Sequence, residues 1–483
     1  MSRFNVKEAS RFRTTNLAGG DAFEATKRWQ LLSILFTSFL NDKYYRTAAD
    51  ELAMLKALVA DDPLFAAKAA VFARHDLGMR SITHAVAGEL STHVSGTTWG
   101  KNFYQAVVRR PDDILEILAY LPGRKSITNA MRKGLGLALT RFDAYQLGKY
   151  KGKSHKISLI DAVNLLHPQS TPALSALMDG SLAPPNTWEV RLTQAGSDTV
   201  KKAAAWGDLV NTDRLGYMAM VRNLKNIKLQ AHDSVYREVL SRVQDPVRVK
   251  RSLLMPFRYY VAIKRLQQEG GMNDAIVALS NALDLSVHNI PDLEGRKVIV
   301  IDRSGSMNSP VTLNKSVNMD ELACLFGFAM AKKEQSDVFI FGDEAMQLSF
   351  NPHDSLASLT RWGSKEINQS YSGPYAVGHG TNFHAALEKM SVAYDHIIYL
   401  SDMQGWVGHN APTGTLHQYK VKYNAKPKIW SIDLTGYGSL QFPEKELYCI
   451  AGWSEKIFDL MKLLLEDEQA VIKMIEGTTF ERS

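Results

Sequence analysis

Val298-Ile299-Val300-Ile301-Asp302-Arg303-Ser304-Gly305-Ser306 decides the fold. Four consecutive apolar, β-branched residues read as a strand buried on both faces, the kind found inside parallel sheets. Such a strand carries one carboxylate and two hydroxyls to its C-terminal end. In open α/β sheets ligands bind at that end. Asp302, Ser304 and Ser306 offer small oxygen ligands on one tight loop, a set that suits a hard divalent cation such as Mg²⁺.

Two further segments support the reading. Thr381 stands in Gly380-Thr381-Asn382, before a helix-like run from Phe383 to Met390. Asp402 ends another apolar run, His396-Ile397-Ile398-Tyr399-Leu400-Ser401. Asp, Ser and Thr also favour turns and caps for local reasons, but five of them in order at strand ends form a constellation. Asp302, Ser304, Ser306, Thr381 and Asp402 together resemble the metal-ion-dependent adhesion site of von Willebrand factor A domains.

Around this loop the apolar period alternates between strand and helix. Strand patterns at Lys297–Ile301, Asp337–Phe341, His396–Ser401, Lys428–Leu434 and Leu447–Ile450 are interleaved with helical patterns. The helices are expected near Met319–Lys333, Leu356–Trp362, Leu416–Tyr423 and Ile457–Ile475. Alternating β and α predicts a doubly wound α/β sheet over residues 291–483. Residues 26–290 read differently. Helical runs such as Lys27–Phe39, Leu64–Arg74, Asp113–Leu121, Ser126–Thr140, Leu215–Ile227, Ser234–Val243, Ser252–Gln268 and Asn273–Leu283 follow one another with short breaks. Many modest helices joined this way suggest a helical-repeat array, although no fixed period is visible. Residues 1–25 are expected to pack on that array or to close it.

The chain has 483 residues, enough for two or three cores. Its two cysteines, Cys324 and Cys449, lie in apolar surroundings and read as buried thiols, which excludes a disulfide framework. The N-terminus lacks the apolar core of a signal peptide, and no apolar run is long enough to span a bilayer. These features predict a cytoplasmic protein. The net charge of +7 hides an asymmetry: residues 1–297 hold 41 Lys+Arg against 28 Asp+Glu, and residues 298–483 hold 16 against 22. A basic body joined to an acidic domain points to a polyanion partner for the first part.

The basic excess concentrates in residues 101–156, with 12 Lys+Arg and 4 Asp+Glu. Arg132 and Lys133 lie in a helical run. Lys149-Tyr150-Lys151-Gly152-Lys153-Ser154-His155-Lys156 reads as a flexible basic loop opening the helix of Ile157–Leu166. Lysines there would neutralise phosphates, and Tyr150 or His155 would stack on an unpaired base. The stretch Gly148–Ser154 imitates a phosphate-binding Walker loop, but its glycines are one residue too close and no strand precedes it.

The ordered series of segments resembles the TROVE-domain family, the Ro autoantigen and its bacterial relatives. Lys149-Tyr150-Lys151 with Ser154-His155-Lys156 is similar to the family's K-Y-K…S-H-K segment. Arg222-Asn223-Leu224 resembles its L-R-N-L segment, with Val221 in place of the first leucine. Pro256-Phe257, with Ala262 beyond, resembles its P-F stretch. Val300–Met307 resembles the family's metal loop, and Phe341-Gly342-Asp343-Glu344 its F-S-D-E strand end. Gly380-Thr381 and Asp402 complete the series. Arg303 departs from the pattern, standing where relatives carry a small apolar residue, and is expected to alter what approaches the metal. The chain is also short for the family.

The resemblance implies a ring of HEAT-like helical repeats joined to a von Willebrand factor A domain holding Mg²⁺. It implies non-catalytic RNA binding: small structured Y-like RNA on the outside, single-stranded 3′ ends of misfolded RNA in the hole, in RNA quality control or processing. By position, Lys149, Lys151, Lys153, His155 and Lys156 would face the Y-like RNA. Arg132 and Lys133 are placed on the same face from their helix position. An exoribonuclease or another protein docking at the metal, and a monomeric state, complete the expectation. Two other readings remain. In one, the metal site binds an acidic protein partner and the helices are a frame. In the other, Asp302 and Asp402 hold Mg²⁺ for phosphoryl transfer with His379 or His384 assisting, although no general base stands at fixed spacing.

Overall fold

The computed structural model describes residues 13–37, 47–121, 127–151, 156–185, 187–252, 254–290, 292–310, 317–366, 375–407, 412–435, 439–442, 447–451 and 470–481. Among them the strands, in chain order, are β1 (Arg13–Thr15), β2 (Asp21–Glu24), β3 (Lys297–Asp302), β4 (Asp337–Phe341), β5 (Ala345–Leu348), β6 (His396–Ser401), β7 (Lys428–Asp433), β8 (Ser439–Leu440) and β9 (Leu447–Ala451). The chain divides into two compact units. One comprises Met1–Ser33, Asn41–Thr47 and Trp206–Glu468; the other comprises Ile34–Leu40, Ala48–Ala205 and Gln469–Ser483.

The first unit is built on a six-stranded sheet of order β5-β4-β3-β6-β7-β9. All pairings are parallel except the β4–β5 hairpin at one edge. Every residue of β3 and β6 is buried, as expected of strands covered on both faces. Strand order reverses between β3 and β6, so the crevice beyond their C-terminal ends is the topological switch point where such sheets bind ligands. The helix Met319–Glu334 covers β3 and opens with a reciprocal cap between Asn318 and Glu321. Gly327 brings that helix against the strand; a Cβ there would lie 2.6 Å from Cδ1 of Ile301.

The expected strands and helices of this region are present, with differences that have local causes. The β5 strand was not expected; it is four residues long and folds back through Gly342-Asp343-Glu344. The helix expected over Ser252–Gln268 runs Pro256–Glu269, starting where Pro256 takes its first turn, and a short helix, Pro246–Ser252, precedes it. The start of the expected terminal helix Ile457–Ile475 lies outside the described residues, and its end is Ala470–Glu476. The scarcity of strand patterning near the N-terminus hid β1 and β2, which form a second, antiparallel sheet with β8.

The other unit is helical. Its helices include Pro63–His75, Ser81–Glu89, Gly100–Val107, Pro111–Tyr120, Asn129–Leu139, Ala144–Lys151 and Leu159–Leu166. Each of the first five packs on the helix two further along the chain, the geometry of stacked helix pairs. Ala66, Ala67, Ala69, Ala70 and Ala73 of Pro63–His75 are fully buried, small side chains that let neighbours approach from all sides. Ala470–Glu476 packs on that helix, and Phe480 meets Phe103 edge-on at 6.0 Å.

Asp113 is the polar centre of this unit. It is fully buried. Arg74 grips it through Nε and Nη2 at 3.2, 3.1 and 2.8 Å, and His84 Nε2 lies 2.9 Å from Oδ1. The amides of Arg109 and Arg110 also donate to Oδ2, at 2.9 and 3.0 Å. Burial by itself would raise its pKa, but the His84 bond and the Arg74 charge outweigh it and hold the carboxyl well below the ordinary range.

Candidate metal centre and basic face

The five expected metal-site residues come from three loops of the first unit. Asp302 ends β3, and Ser304 and Ser306 lie on the turn after it. Asp302 Oδ1 accepts the Ser304 amide at 2.8 Å, and Oδ2 accepts the hydroxyl of Ser401 from the end of β6. The hydroxyls of Ser304 and Ser306 are 3.2 Å apart. Asp402 follows β6, its Oδ1 accepting the Gln404 amide at 3.2 Å. All five are buried: Asp302 0%, Ser304 2%, Ser306 4%, Thr381 1% and Asp402 1% exposed.

Thr381 is seated by the turn after β4. The Asn382 amide donates to the Gly342 carbonyl at 2.8 Å, and its Nδ2 to that of Asp343 at 2.9 Å. A Cβ on Gly380 would lie 2.0 Å from Oδ1 of Asp343 and 2.6 Å from Cγ2 of Val407, so a larger residue here would have to displace those side chains. The segment Phe341–Glu344, noticed in the sequence as a motif, therefore acts by holding the Thr381 loop. Asn382 also caps the helix Phe383–Lys389.

The donor set can be tested for a cation. The Oγ1 of Thr381 and the Oδ2 of Asp402 are buried without a hydrogen-bond partner. An orphaned buried oxygen costs about 1–3 kcal/mol, and a cation held between these groups would remove that cost. Burial raises the pKa of Asp302 and Asp402, and for Asp402 the charge of Asp302 raises it further. A divalent cation reverses both effects. Among the described residues no group of three His, Cys, Asp or Glu could hold a metal. A set of two carboxylates and three hydroxyls is instead a hard-ion set, and it fits Mg²⁺.

Arg303 directs its guanidinium to other partners, while burial raises the pKa of the neighbouring Asp302 and the Arg303 charge still acts to lower it. Arg303 is 3% exposed. Its guanidinium points to Asp320 Oδ2 at 3.5 Å, Cys324 Sγ at 3.7 Å and the Ser364 carbonyl at 3.4 Å. In return burial pushes Asp320 up to about 6, with the Arg303 charge acting against the rise. Of the two histidines near Thr381, His384 has Nδ1 2.7 Å from the Thr415 hydroxyl, and the His379 backbone carbonyl accepts from the Gly305 amide at 3.1 Å. Sequence reading missed Ser401, because no motif signals a hydroxyl that acts on a neighbouring strand, and Gln404, whose amide serves the carboxylate two positions before it.

The basic segment lies in the helical unit. Arg132 and Lys133 are exposed on Asn129–Leu139, and Lys149 is exposed near the end of Ala144–Lys151. Lys156 is exposed before Ser158, which caps Leu159–Leu166. Both earlier helices pack on that third one. The side chain of Lys151, and residues Lys153 and His155, lie outside the described residues. Lys149–Lys151 form the last turn of a helix rather than a loop. Tyr150 is 6% exposed, with the Arg110 guanidinium 4.9 Å above its ring, so an arginine covers the face expected to meet a base.

The family model of the TROVE domain matches residues 37–181 and 180–304. The chain belongs to the TROVE family. The model described as the Ro60 vWA domain matches residues 296–462, the stretch that carries the candidate metal centre. Among solved structures, the RO (RSR) protein of Deinococcus radiodurans superposes with a TM-score of 0.60. The match covers 94% of this chain and all of that one at 19% identity. Among curated proteins, telomerase protein component 1 of Mus musculus is 22% identical over 329 residues, and that of Rattus norvegicus 21%. Each alignment covers 48% of this TROVE chain and 12% of the relative, so the chain spans a small part of their length.

Proposed function

We propose that this TROVE protein is a non-catalytic, cytoplasmic RNA-binding protein of the Ro type. The observation that carries the reading is the exposed basic series of Arg132, Lys133 and Lys149, on two helices that each pack on Leu159–Leu166, and Lys156 just before that helix, in a region matched by the TROVE model. Lysine and arginine held on rigid helices neutralise phosphates and release counterions. Lys151, Lys153 and His155 would extend the series. Small structured Y-like RNA and single-stranded 3′ ends of misfolded RNA are the ligands proposed, in RNA quality control or processing. The names of the relatives, a Ro protein and a telomerase component, accord with a ribonucleoprotein role.

The metal centre is proposed to hold Mg²⁺ through Asp302, Ser304, Ser306, Thr381 and Asp402. When bound, the ion would offer an open position to an acidic group of a protein partner, an exoribonuclease among the candidates. The unpartnered oxygens of Thr381 and Asp402 support this reading.

Binding of the purified chain to a structured RNA with a single-stranded 3′ tail, read by fluorescence anisotropy across a salt series, tests the first part. Tight, salt-steep binding that weakens without the tail supports it. No binding at low salt would overturn it. Turnover of the RNA in Mg²⁺ that Asp302→Ala abolishes would overturn the non-catalytic reading.

A further inference from the structure

The loop Asp402–Val407 carries one carboxylate of the metal centre, and its backbone is not self-supporting. Met403 sits at φ +59°, a left-handed conformation that costs a non-glycine residue about 1–2 kcal/mol. Neighbours must hold it there. Ser431 Oγ lies 2.9 Å from Met403 Sδ, and Gln441 Nε2 donates to the Met403 carbonyl at 2.9 Å. The amides of Trp406 and Val407 donate to the Thr381 carbonyl at 3.1 and 3.3 Å, which ties this loop to the one carrying Thr381.

The remaining support arrives from the other end of the sequence. Between β1 and β2 the chain turns through Asn16–Gly20, closed by the Asn16 amide on the Gly20 carbonyl at 2.9 Å. Asn16 Oδ1 accepts the amides of Ala18 and Gly20, both at 3.0 Å, which fixes the orientation of its side-chain amide. Nδ2 is thereby directed outward and donates to the Gly405 carbonyl. The Leu17 amide donates to Gln404 Oε1 at 2.8 Å, and the Gln404 amide in turn donates to Asp402 Oδ1. Gly20 lies flat on the loop; a Cβ there would be 2.1 Å from the Gly405 carbonyl oxygen. Asn16 is 7% exposed, and its side-chain bonds to Gly405 and Gly20 form away from water.

We infer that the Asn16–Gly20 turn is a positioning element of the cation site, with Asn16 its positioning residue. It touches no proposed ligand. It sets the path of Gln404-Gly405, and through that path the distance between Asp402 and Thr381, each of which has one buried side-chain oxygen without a hydrogen-bond partner. Outer hydrogen bonds of this kind typically change metal affinity by about 10–100-fold. The inference rests on the Mg²⁺ reading of the site.

The experiment is calorimetric titration of the full chain with MgCl₂, alongside thermal unfolding in EDTA. Asn16→Asp keeps the acceptor and loses the donor to Gly405. Gly20→Ala drives a methyl into the loop. Asn16→Ser is the milder variant, and Leu17→Ala, whose side chain is half exposed, leaves all of these bonds in place. The expected result is an Mg²⁺ Kd raised roughly tenfold or more in Asn16→Asp and Gly20→Ala, a smaller rise in Asn16→Ser, and no change in Leu17→Ala. Metal-free melting stays near that of the parent in Asn16→Ser, and if the stronger variants fail to fold, that variant decides. Unchanged Kd in the folded variants would overturn the inference alone. A parent chain that takes up no Mg²⁺ would overturn the metal reading and the inference with it.

Discussion

Ser401, at the end of β6, donates its hydroxyl to Asp302 at the end of the neighbouring β3. The bond spans the switch point of the sheet and fixes one oxygen of the first carboxylate, while Asp402, next along the chain, brings the second. Two buried acids are thereby held at one crevice with a shared need for positive charge.

That arrangement makes Mg²⁺ uptake pH-dependent. Both folded pKa values are raised, so in the metal-free protein this pair stabilises the fold below the ordinary Asp pKa of about 3.9 and loses that contribution as pH rises through the raised values. Mg²⁺ displaces the protons. Its Kd is therefore expected to weaken as pH falls from 8 to 5.5, by up to about tenfold per pH unit for each proton displaced. The rise in Tm on adding Mg²⁺ should be larger at pH 8 than at pH 5.5. Calorimetry and thermal scans at the two pH values check both points, and a Kd that does not move with pH would contradict the shared-charge account.

Removing the charge of Asp113 should damage the helical unit. Asp113→Asn leaves Arg74, 4% exposed, without its ionic partner. Breaking a buried pair from one side costs about 3–5 kcal/mol. Urea unfolding followed by circular dichroism should show a midpoint lowered accordingly. Because the folded pKa of Asp113 is depressed, its contribution is present above the ordinary Asp value and is lost as pH falls through the folded value. The variant and the parent should therefore converge in stability only in strong acid.

Arg303 and Asp320 form a second buried pair, at 3.5 Å with Arg303 Nε unpartnered. Arg303→Met is expected to destabilise the chain by about 3 kcal/mol or more, since Asp320 then stays buried without a countercharge. The double variant Arg303→Met with Asp320→Leu should recover much of the loss, because apolar replacements of a buried pair are often neutral or better. A double-mutant cycle in urea measures the coupling. Mg²⁺ affinity should change little in the double variant, as the charges of Arg303 and Asp320 are removed together.

RNA affinity should respond to single charges through salt. Lys149→Glu with Lys156→Glu removes two exposed cations without touching a buried group. The slope of log K against log salt is expected to fall by about 0.7–0.9 for each phosphate no longer neutralised. Tyr150→Leu removes the ring and, in the folded variant, should leave RNA binding unchanged, since Arg110 and not a base covers that face. A large drop in the affinity of folded Tyr150→Leu would mean that Arg110 moves off the ring in the complex.

The sequence by itself determined the two kinds of structure and the candidate metal ligands. Apolar runs of strand length ending in Asp302 and Ser401-Asp402 require a parallel sheet, and period alone separates them from the helical part. Tertiary structure decided what those residues experience. The depressed carboxyl of Asp113 depends on Arg74 and His84, which lie 39 and 29 positions away. Arg303 turns inward because Asp320 waits on the helix packed over β3, and no local pattern records that. The support of Asp402 by Asn16 spans 389 positions between Asn16 and Gly405. Periodicity is a property of neighbours along the chain and is readable there. Charge compensation and loop support come from groups that meet only after the chain has folded, so only the folded structure decides them.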